Sequence, residues 1–223
     1  MGFGLAIAVG CGSTIVEDPG TTTGSGGTTA SSGTGGLCEG FADEMGTAAV
    51  TVRFRNETGL PIYLPSLCSG VSYSITPTGG SDGTSYRYDG SCLQTCEDLQ
   101  TDFPIACGPC APTSYLVPAG SSLDVAWDGT GLRPGAQMPA ACFAAPDSGG
   151  TCSQVVAAPS GTYRAEAMGF EACGAECTCN AEGVCNGQPS GLQAYADPVM
   201  FDFPAAGLVE VVFGVCAFGC AGG

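Results

Sequence analysis

From Cys38 onward, apolar residues mostly recur at every second position, the pattern of strands with one buried face. In residues 50–55, Val50, Val52 and Phe54 lie on one side and the polar residues on the other. Other segments with this alternation are residues 121–127, residues 161–167 and residues 209–215. In the last of these, the shared apolar face runs from Val209 to Val215. The pattern predicts short β-strands.

Turn sequences separate these strands, and they include Asn56-Glu57-Thr58-Gly59, Pro118-Ala119-Gly120 and Asp128-Gly129. Gly, Pro, Asn and Asp favour tight reversals of the chain. No window has a helical apolar stripe longer than about two turns. Repeated strands and turns predict an all-β fold, an antiparallel β-sandwich, with Trp127 in its core. Two cysteine-rich segments, residues 92–110 and 173–185, predict disulfide-rich loop insertions.

The amino-terminal residues have a different pattern. Residues 3–9 (FGLAIAV) form a short apolar run that is followed by Gly10 and Cys11. Small residues before a cysteine suit signal-peptidase processing, and Ala8-Val9-Gly10-Cys11 resembles the lipobox of bacterial lipoproteins. We therefore expect residues 1–10 to be a signal peptide and Cys11 to be lipidated. No basic residue precedes the apolar run, so we expect the true start to lie upstream of Met1.

A tether follows the predicted lipidation site. From residue 20 to residue 36, every residue except Ala30 is Gly, Ser or Thr. Such a composition cannot bury apolar surface and behaves as a flexible coil, and residues 12–36 should have a reach of roughly 25–30 Å. We therefore predict a tether over residues 11–37 and a disulfide-rich β domain over residues 38–223. An alternative is a mature chain that begins with an apolar strand and an ordinary cysteine.

Charge and composition exclude several functions. The chain has 5 Arg and Lys residues against 21 Asp and Glu, a net charge of −16. This charge repels phosphate backbones and anionic headgroups, so we expect no nucleic-acid partner and no electrostatic membrane docking. Histidine and lysine are both absent, which removes imidazole bases, imidazole metal ligands and Schiff-base amines. We expect a protein that is not an enzyme and holds no cofactor and no metal.

Fifteen cysteines indicate an oxidising compartment. Setting the predicted lipidation site aside leaves an even number, enough for seven bridges. The predicted disulfide cysteines are Cys38, Cys68, Cys92, Cys96, Cys107, Cys110, Cys142, Cys152, Cys173, Cys177, Cys179, Cys185, Cys216 and Cys220. Sequence alone does not show which cysteines are joined.

Two other uses of the cysteines stay open. Cys107-Gly108-Pro109-Cys110 matches the thioredoxin tetrapeptide, which needs a helix amino terminus to stabilise its first thiolate. The residues that follow predict a strand, because Tyr115 to Val117 are apolar or aromatic and Pro118 closes the segment. A zinc ribbon is the second alternative, in which Cys92-x3-Cys96 pairs with Cys107-x2-Cys110. The closely spaced cysteines of residues 173–185 leave the same alternatives open.

A family resemblance accompanies the strand pattern. The motifs that carry it are Asn56-Glu57-Thr58-Gly59-Leu60-Pro61-Ile62, Val117-Pro118-Ala119-Gly120-Ser121-Ser122, Ala126-Trp127-Asp128-Gly129 and Gly161-Thr162-Tyr163. In this order they resemble the immunoglobulin-like BsuPI-type domain of a proteinase-inhibitor family. The resemblance implies an immunoglobulin-like sandwich. The chain also resembles the cysteine-rich lipoproteins of predatory soil bacteria.

These observations favour an exported, lipid-anchored protein of the cell envelope, at the outer membrane or cell surface. The leading hypothesis is a non-catalytic binding or structural module whose partner is an extracellular or envelope protein or a glycan. Loops between strands are the expected contact surface. The alternatives are a secreted protease inhibitor and a thiol–disulfide oxidoreductase that uses Cys107 and Cys110.

Overall fold

The structure, a computed structural model, describes residues 35–66, 70–80, 84–86, 94–101, 111–145, 150–174 and 176–219. The predicted signal peptide and nearly all of the predicted tether lie outside these residues. Six cysteines also lie outside them, namely Cys11, Cys68, Cys92, Cys107, Cys110 and Cys220.

Strands dominate the described residues. They are β1 (Val50–Asn56), β2 (Ile62–Ser66), β3 (Tyr73–Pro77), β4 (Thr113–Val117), β5 (Ser122–Trp127), β6 (Thr130–Met138), β7 (Gly150–Ala157), β8 (Gly161–Cys173), β9 (Val184–Asn186), β10 (Pro189–Tyr195), β11 (Val199–Phe203) and β12 (Leu208–Phe213). The helices are single turns: α1 (Gly35–Cys38), α2 (Asp98–Thr101) and two 3-10 turns at Glu39–Phe41 and Ala140–Cys142. The prediction of an all-β fold is confirmed.

Two sheets form the sandwich. The smaller has the order β12-β1-β5, in which β1 pairs antiparallel with β5 and parallel with β12. The larger contains seven strands, with the path β10-β8-β2-β4-β9 and with β3 and β11 also paired to β8. A separate hairpin joins β6 to β7. All pairs in the larger sheet are antiparallel, so β1 with β12 is the one parallel pair among the described strands.

The core lies between the two sheets. Val50, Val52 and Phe54 of β1 are fully buried, as the alternation in the sequence predicts. They belong to one cluster with the inward residues of β8, among them Tyr163 and Ala165. Each fully buried aliphatic or aromatic side chain contributes about 1.5–3 kcal/mol of transfer free energy. Burial of these two alternating faces therefore holds the sandwich together.

Aromatic rings fill one end of the core around Trp127. The Trp127 ring centroid lies 5.9 Å from that of Tyr163, 6.2 Å from that of Phe201 and 5.0 Å from that of Phe203. The indole N–H donates a 2.8 Å hydrogen bond to the Thr130 carbonyl, so burial leaves no polar group of the ring unpaired. Gly129 keeps the turn close to this end, since a Cβ there would lie 2.7 Å from the Phe203 ring.

The sequence patterns locate the strands well but not always their ends. Trp127 is buried, as predicted. The predicted strand over residues 209–215 ends at Phe213, and Val215 is 80% exposed because it lies in the turn that follows. The strand predicted over residues 161–167 continues to Cys173.

A smaller apolar cluster lies outside the main core. Cys96, Met138, Cys142, Phe143 and Cys152 are buried in it, and part of β6 and β7 contributes to it. Two disulfide bonds tie distant parts of the chain together here: Cys38 to Cys142 and Cys96 to Cys152. The cluster contains few large apolar side chains, so covalent bonds supply much of its stability.

A disulfide bond that joins residues far apart in the sequence should contribute more to the free energy of unfolding than one that joins near neighbours. In the loop-entropy account, replacing Cys38 and Cys142 by Ala, which opens a separation of 104 residues, costs about 4–5 kcal/mol. Replacing Cys173 and Cys177 by Ala, a separation of 4 residues, costs about 2 kcal/mol. Urea unfolding followed by Trp127 fluorescence measures both. Equal losses of unfolding free energy for the two double variants would contradict this account.

Candidate functional site

The long strand β8 creates a groove on the outer face of the larger sheet. Its first half pairs with β3 and β11, with Tyr73 opposite Ala167 and Val199 opposite Ala165. Its second half pairs with β2 and β10, beginning at Met168. Where both neighbours change, the surface beside β8 has a groove of about 330 Å³.

The groove combines apolar and polar groups. Its lining residues are Pro65, Ser72, Tyr73, Ser74, Glu166, Ala167, Met168, Tyr195 and Ala196. Pro65, Met168 and Tyr195 offer apolar surface, and Ser72, Ser74 and Glu166 offer hydroxyl and carboxylate groups. Binding sites for small or extended ligands commonly have this mixture of apolar walls and a few polar groups.

Tyr195 is the most prominent side chain of this surface. It lies at the end of β10 opposite Met168 and is 59% exposed. Its hydroxyl donates a hydrogen bond to Gln193 Oε1, and its backbone N–H donates a 2.8 Å hydrogen bond to the Ala217 carbonyl. Contacts at both ends hold the residue in place while the ring stays in solvent. An exposed aromatic ring beside polar groups is suited to contact a ligand.

Ion pairs occupy three of the four described arginines. Arg53 pairs with Asp124 through two 2.7 Å hydrogen bonds. Arg164 lies 2.5 Å from Glu166 at the groove. Arg55 pairs with two carboxylates, at 2.7 Å and 3.3 Å, and Arg133 donates a 2.6 Å hydrogen bond to the Gln154 side-chain oxygen. Because the other acidic residues outnumber the cations, the surface favours neutral or cationic ligands over anionic ones.

The pair of Arg53 and Asp124 is the best-defined electrostatic contact. The residues lie opposite each other on β1 and β5. Hydrogen bonds from the guanidinium, assisted by its positive charge, hold the pKa of Asp124 below its usual value, and slight desolvation opposes this. The same hydrogen bonds raise the pKa of Arg53. The contact is a surface ion pair across two strands, and no reacting group lies in it.

Among the described residues, the structure joins eight cysteines to one another in four bridges. They are Cys38–Cys142, Cys96–Cys152, Cys173–Cys177 and Cys179–Cys185. Cys216 is also disulfide-bonded. Cys96, one of the four ligands of the alternative zinc ribbon, is bonded to Cys152. Cys107 and Cys110 of the thioredoxin-like tetrapeptide lie outside the described residues, as does the predicted lipidation site Cys11.

Among the described residues, one group of side chains has the spacing of metal ligands. The sulfur atoms of Cys177, Cys179 and Cys185 all lie within 4.8 Å of one another. Both bridges to which they belong are formed, and disulfide sulfurs are poor ligands compared with thiolates. In this oxidised state the group is a pair of adjacent bridges.

Comparisons with known proteins do not assign this chain to a family. No protein-family model matches the chain, and no curated protein and no solved structure is similar to it. The resemblance to the BsuPI-type domain therefore stays a prediction. Separately, none of the helices in the described part of the chain is long and apolar enough to cross a membrane.

Sequence reasoning did not find the groove. Neither β3 nor β10 was predicted, and their outward residues contribute Ser74 and Tyr195. The available signal was the alternation of Glu166 and Met168 with the buried Ala165 and Ala167. That signal shows which side chains face outward but not which strands lie beside them.

The Arg53–Asp124 pair predicts a pH-dependent difference between two proteins. A lowered carboxyl pKa contributes stability above the usual pKa of Asp, about 3.9, and loses it as the pH falls through the lowered value. Asp124→Asn should therefore lower the urea midpoint at pH 7, and the difference from the unmodified protein should vanish near pH 2. Glu182→Gln, at a carboxylate that no described arginine contacts, is the control. A difference independent of pH would argue against this account.

Proposed function

We propose that this chain is an exported protein of the bacterial cell envelope, lipid-anchored at Cys11, and that its β-sandwich is a non-catalytic binding module. The observation that carries the binding role is the groove beside β8, with the exposed Tyr195 ring at its margin. The absence of histidine and lysine from the sequence, the predicted tether and the four described bridges are consistent with this role.

The side chains of the groove limit the classes of ligand that it can bind. Arg164 is already paired with Glu166, so the described residues of the groove offer no free cation to a phosphate or carboxylate. Tyr195 and Met168 supply flat apolar contact, and the serine hydroxyls and Glu166 accept or donate hydrogen bonds. An uncharged or cationic ligand of the envelope, a glycan or a protein segment, matches these groups.

A protease inhibitor is the second proposal. Its support is the BsuPI-like order of motifs together with a disulfide-stabilised β domain, an architecture that withstands proteases. Titration of serine, cysteine and metal-dependent proteases with the purified protein tests this proposal. The absence of any inhibition at micromolar concentration would end it.

If the ligand binds in the groove, truncation of the apolar side chains of the groove should weaken binding. In purified protein that carries no acyl group, Tyr195→Ala combined with Met168→Ala should weaken co-sedimentation with the insoluble envelope fraction at least about tenfold, since burial of each side chain is worth about 1.5–3 kcal/mol. Leu208→Ala removes a side chain of similar exposure, 50%, from the other sheet. This control should bind like the unmodified protein. Unchanged binding by the double variant would place the ligand elsewhere.

Lipid anchoring is tested at Cys11. Mass spectrometry of the protein from the native envelope should show a diacylglyceryl group on Cys11 and no residues before it. Cys11→Ser should move the protein from the membrane fraction to the soluble fraction, because acyl chains contribute about 0.8 kcal/mol per buried methylene group. A native protein with an unmodified Cys11 would refute the anchor but would leave the groove proposal standing.

A further inference from the structure

Two disulfide bonds lie in contact at the end of β8. Cys173–Cys177 and Cys179–Cys185 form a four-cysteine cluster in which the sulfurs of Cys177, Cys179 and Cys185 are within 4.8 Å of one another. Their burial differs sharply. Cys179 is exposed, Cys173 and Cys177 are partly buried, and Cys185 is fully buried. The cluster thus combines an exposed cysteine, Cys179, with a fully buried one, Cys185.

The sheet holds the cluster on its outer face. β9, which contains Cys185, pairs with β4, and Cys179 forms an isolated β-bridge with Cys185. Gly187 leaves room for the Cys173–Cys177 bridge, because a Cβ at this position would lie 3.2 Å from Cys173 Sγ and 3.4 Å from Cys177 Sγ. The pairing of β9 with β4 and the β-bridge between Cys179 and Cys185 hold the second bridge beside it.

A buried hydroxyl touches one of the sulfurs. Ser114 of β4 is fully buried, and its Oγ lies 3.4 Å from Cys173 Sγ. A disulfide sulfur carries no proton, so the serine hydroxyl is the donor in this contact. Such a donor interacts more strongly with a thiolate than with a disulfide sulfur, because hydrogen bonds to charged groups are stronger.

We propose that the four-cysteine cluster is a thiol–disulfide exchange site, which takes two electrons from external thiols that attack at Cys179 and holds them as thiols on Cys173 and Cys179. This activity is independent of the binding role proposed above and of the tetrapeptide at Cys107. The external reactant is a small thiol or an exposed cysteine of another envelope protein.

The first step opens the exposed bridge. An external thiolate attacks Cys179 Sγ and forms a mixed disulfide with it. The Cys179–Cys185 bond breaks, and its electron pair leaves on Cys185 as a thiolate. This thiolate is buried, which destabilises it, because low-dielectric surroundings disfavour the charged form.

The second step moves the charge out of the interior. The Cys185 thiolate attacks Cys177 Sγ, a Cys177–Cys185 bond forms, and the Cys173–Cys177 bond breaks with the electron pair on Cys173. The direction is favourable because Cys173 is partly exposed and receives the Ser114 hydrogen bond, whereas Cys185 has neither advantage. A stabilised leaving thiolate also leaves faster.

The third step completes the electron balance. A second external thiolate attacks the external sulfur of the mixed disulfide, releases Cys179 as a thiolate and departs as an oxidised external disulfide. Two external thiols become one disulfide, and the protein takes up two electrons. It holds them as thiols on Cys173 and Cys179, with Cys177 joined to Cys185.

The connectivity after partial reduction tests the proposal. The oxidised full-length protein is treated with reduced glutathione, quenched in acid and alkylated, and its peptides are mapped by mass spectrometry. We expect alkylated Cys173, alkylated or glutathionylated Cys179 and a Cys177–Cys185 bridge. Free Cys179 and Cys185 with Cys173–Cys177 intact would overturn the proposal, as would resistance of both bridges to glutathione.

Ser114 provides a second test. Ser114→Ala should slow the appearance of free Cys173 about tenfold and leave the Cys185 thiol as the trapped species, because the leaving thiolate loses its donor. Ser114→Thr keeps the hydroxyl and should restore the product distribution. Thr178→Ala is the matched control, since its hydroxyl bonds to Asn186 Oδ1. Equal slowing by Thr178→Ala would show a structural effect and refute the role of Ser114.

Discussion

Pairing along β8 is the constraint on which the rest of the structure depends. This strand of 13 residues pairs with β3 and β11 near its start and with β2 and β10 near its end, while its inward side chains join the core formed with β1. Its inward face is buried in the core, and Glu166 and Met168 of its outward face are only partly buried. The change of neighbours leaves the groove, and the last residue of the strand, Cys173, begins the four-cysteine cluster. Both candidate sites therefore follow from one strand.

Disulfide bonds serve two different purposes in this chain. Cys38–Cys142 and Cys96–Cys152 close long loops around a cluster with few large apolar side chains, so they contribute stability that packing does not supply there. The bridges of the four-cysteine cluster close loops of 4 and 6 residues and restrict the unfolded chain much less. Their adjacent sulfurs and unequal burial favour the proposed thiol–disulfide exchange over a role in stabilising the fold.

The described ion pairs leave most of the acidic residues without a cationic partner. Three of the described arginines are paired with carboxylates, so a large excess of negative charge remains on the surface. A domain of this charge is repelled by anionic headgroups, and a flexible tether would separate the two. In the proposed binding role, Tyr195 and the neighbouring serines would contact the ligand through the ring and through hydrogen bonds.

The fold class, the inward face of β1 and the burial of Trp127 could be predicted from the order of the amino acids alone. These features depend on local alternation, in which each side chain is assigned to a face by its position along one strand. The prediction of lipid anchoring likewise depends on residues that are close together in the sequence, those at the amino terminus. Only the tertiary structure decided which cysteines are joined, where β8 changes neighbours and that Ser114 contacts Cys173. Those contacts join residues as far as 104 positions apart, and period-two alternation does not specify which strands become neighbours.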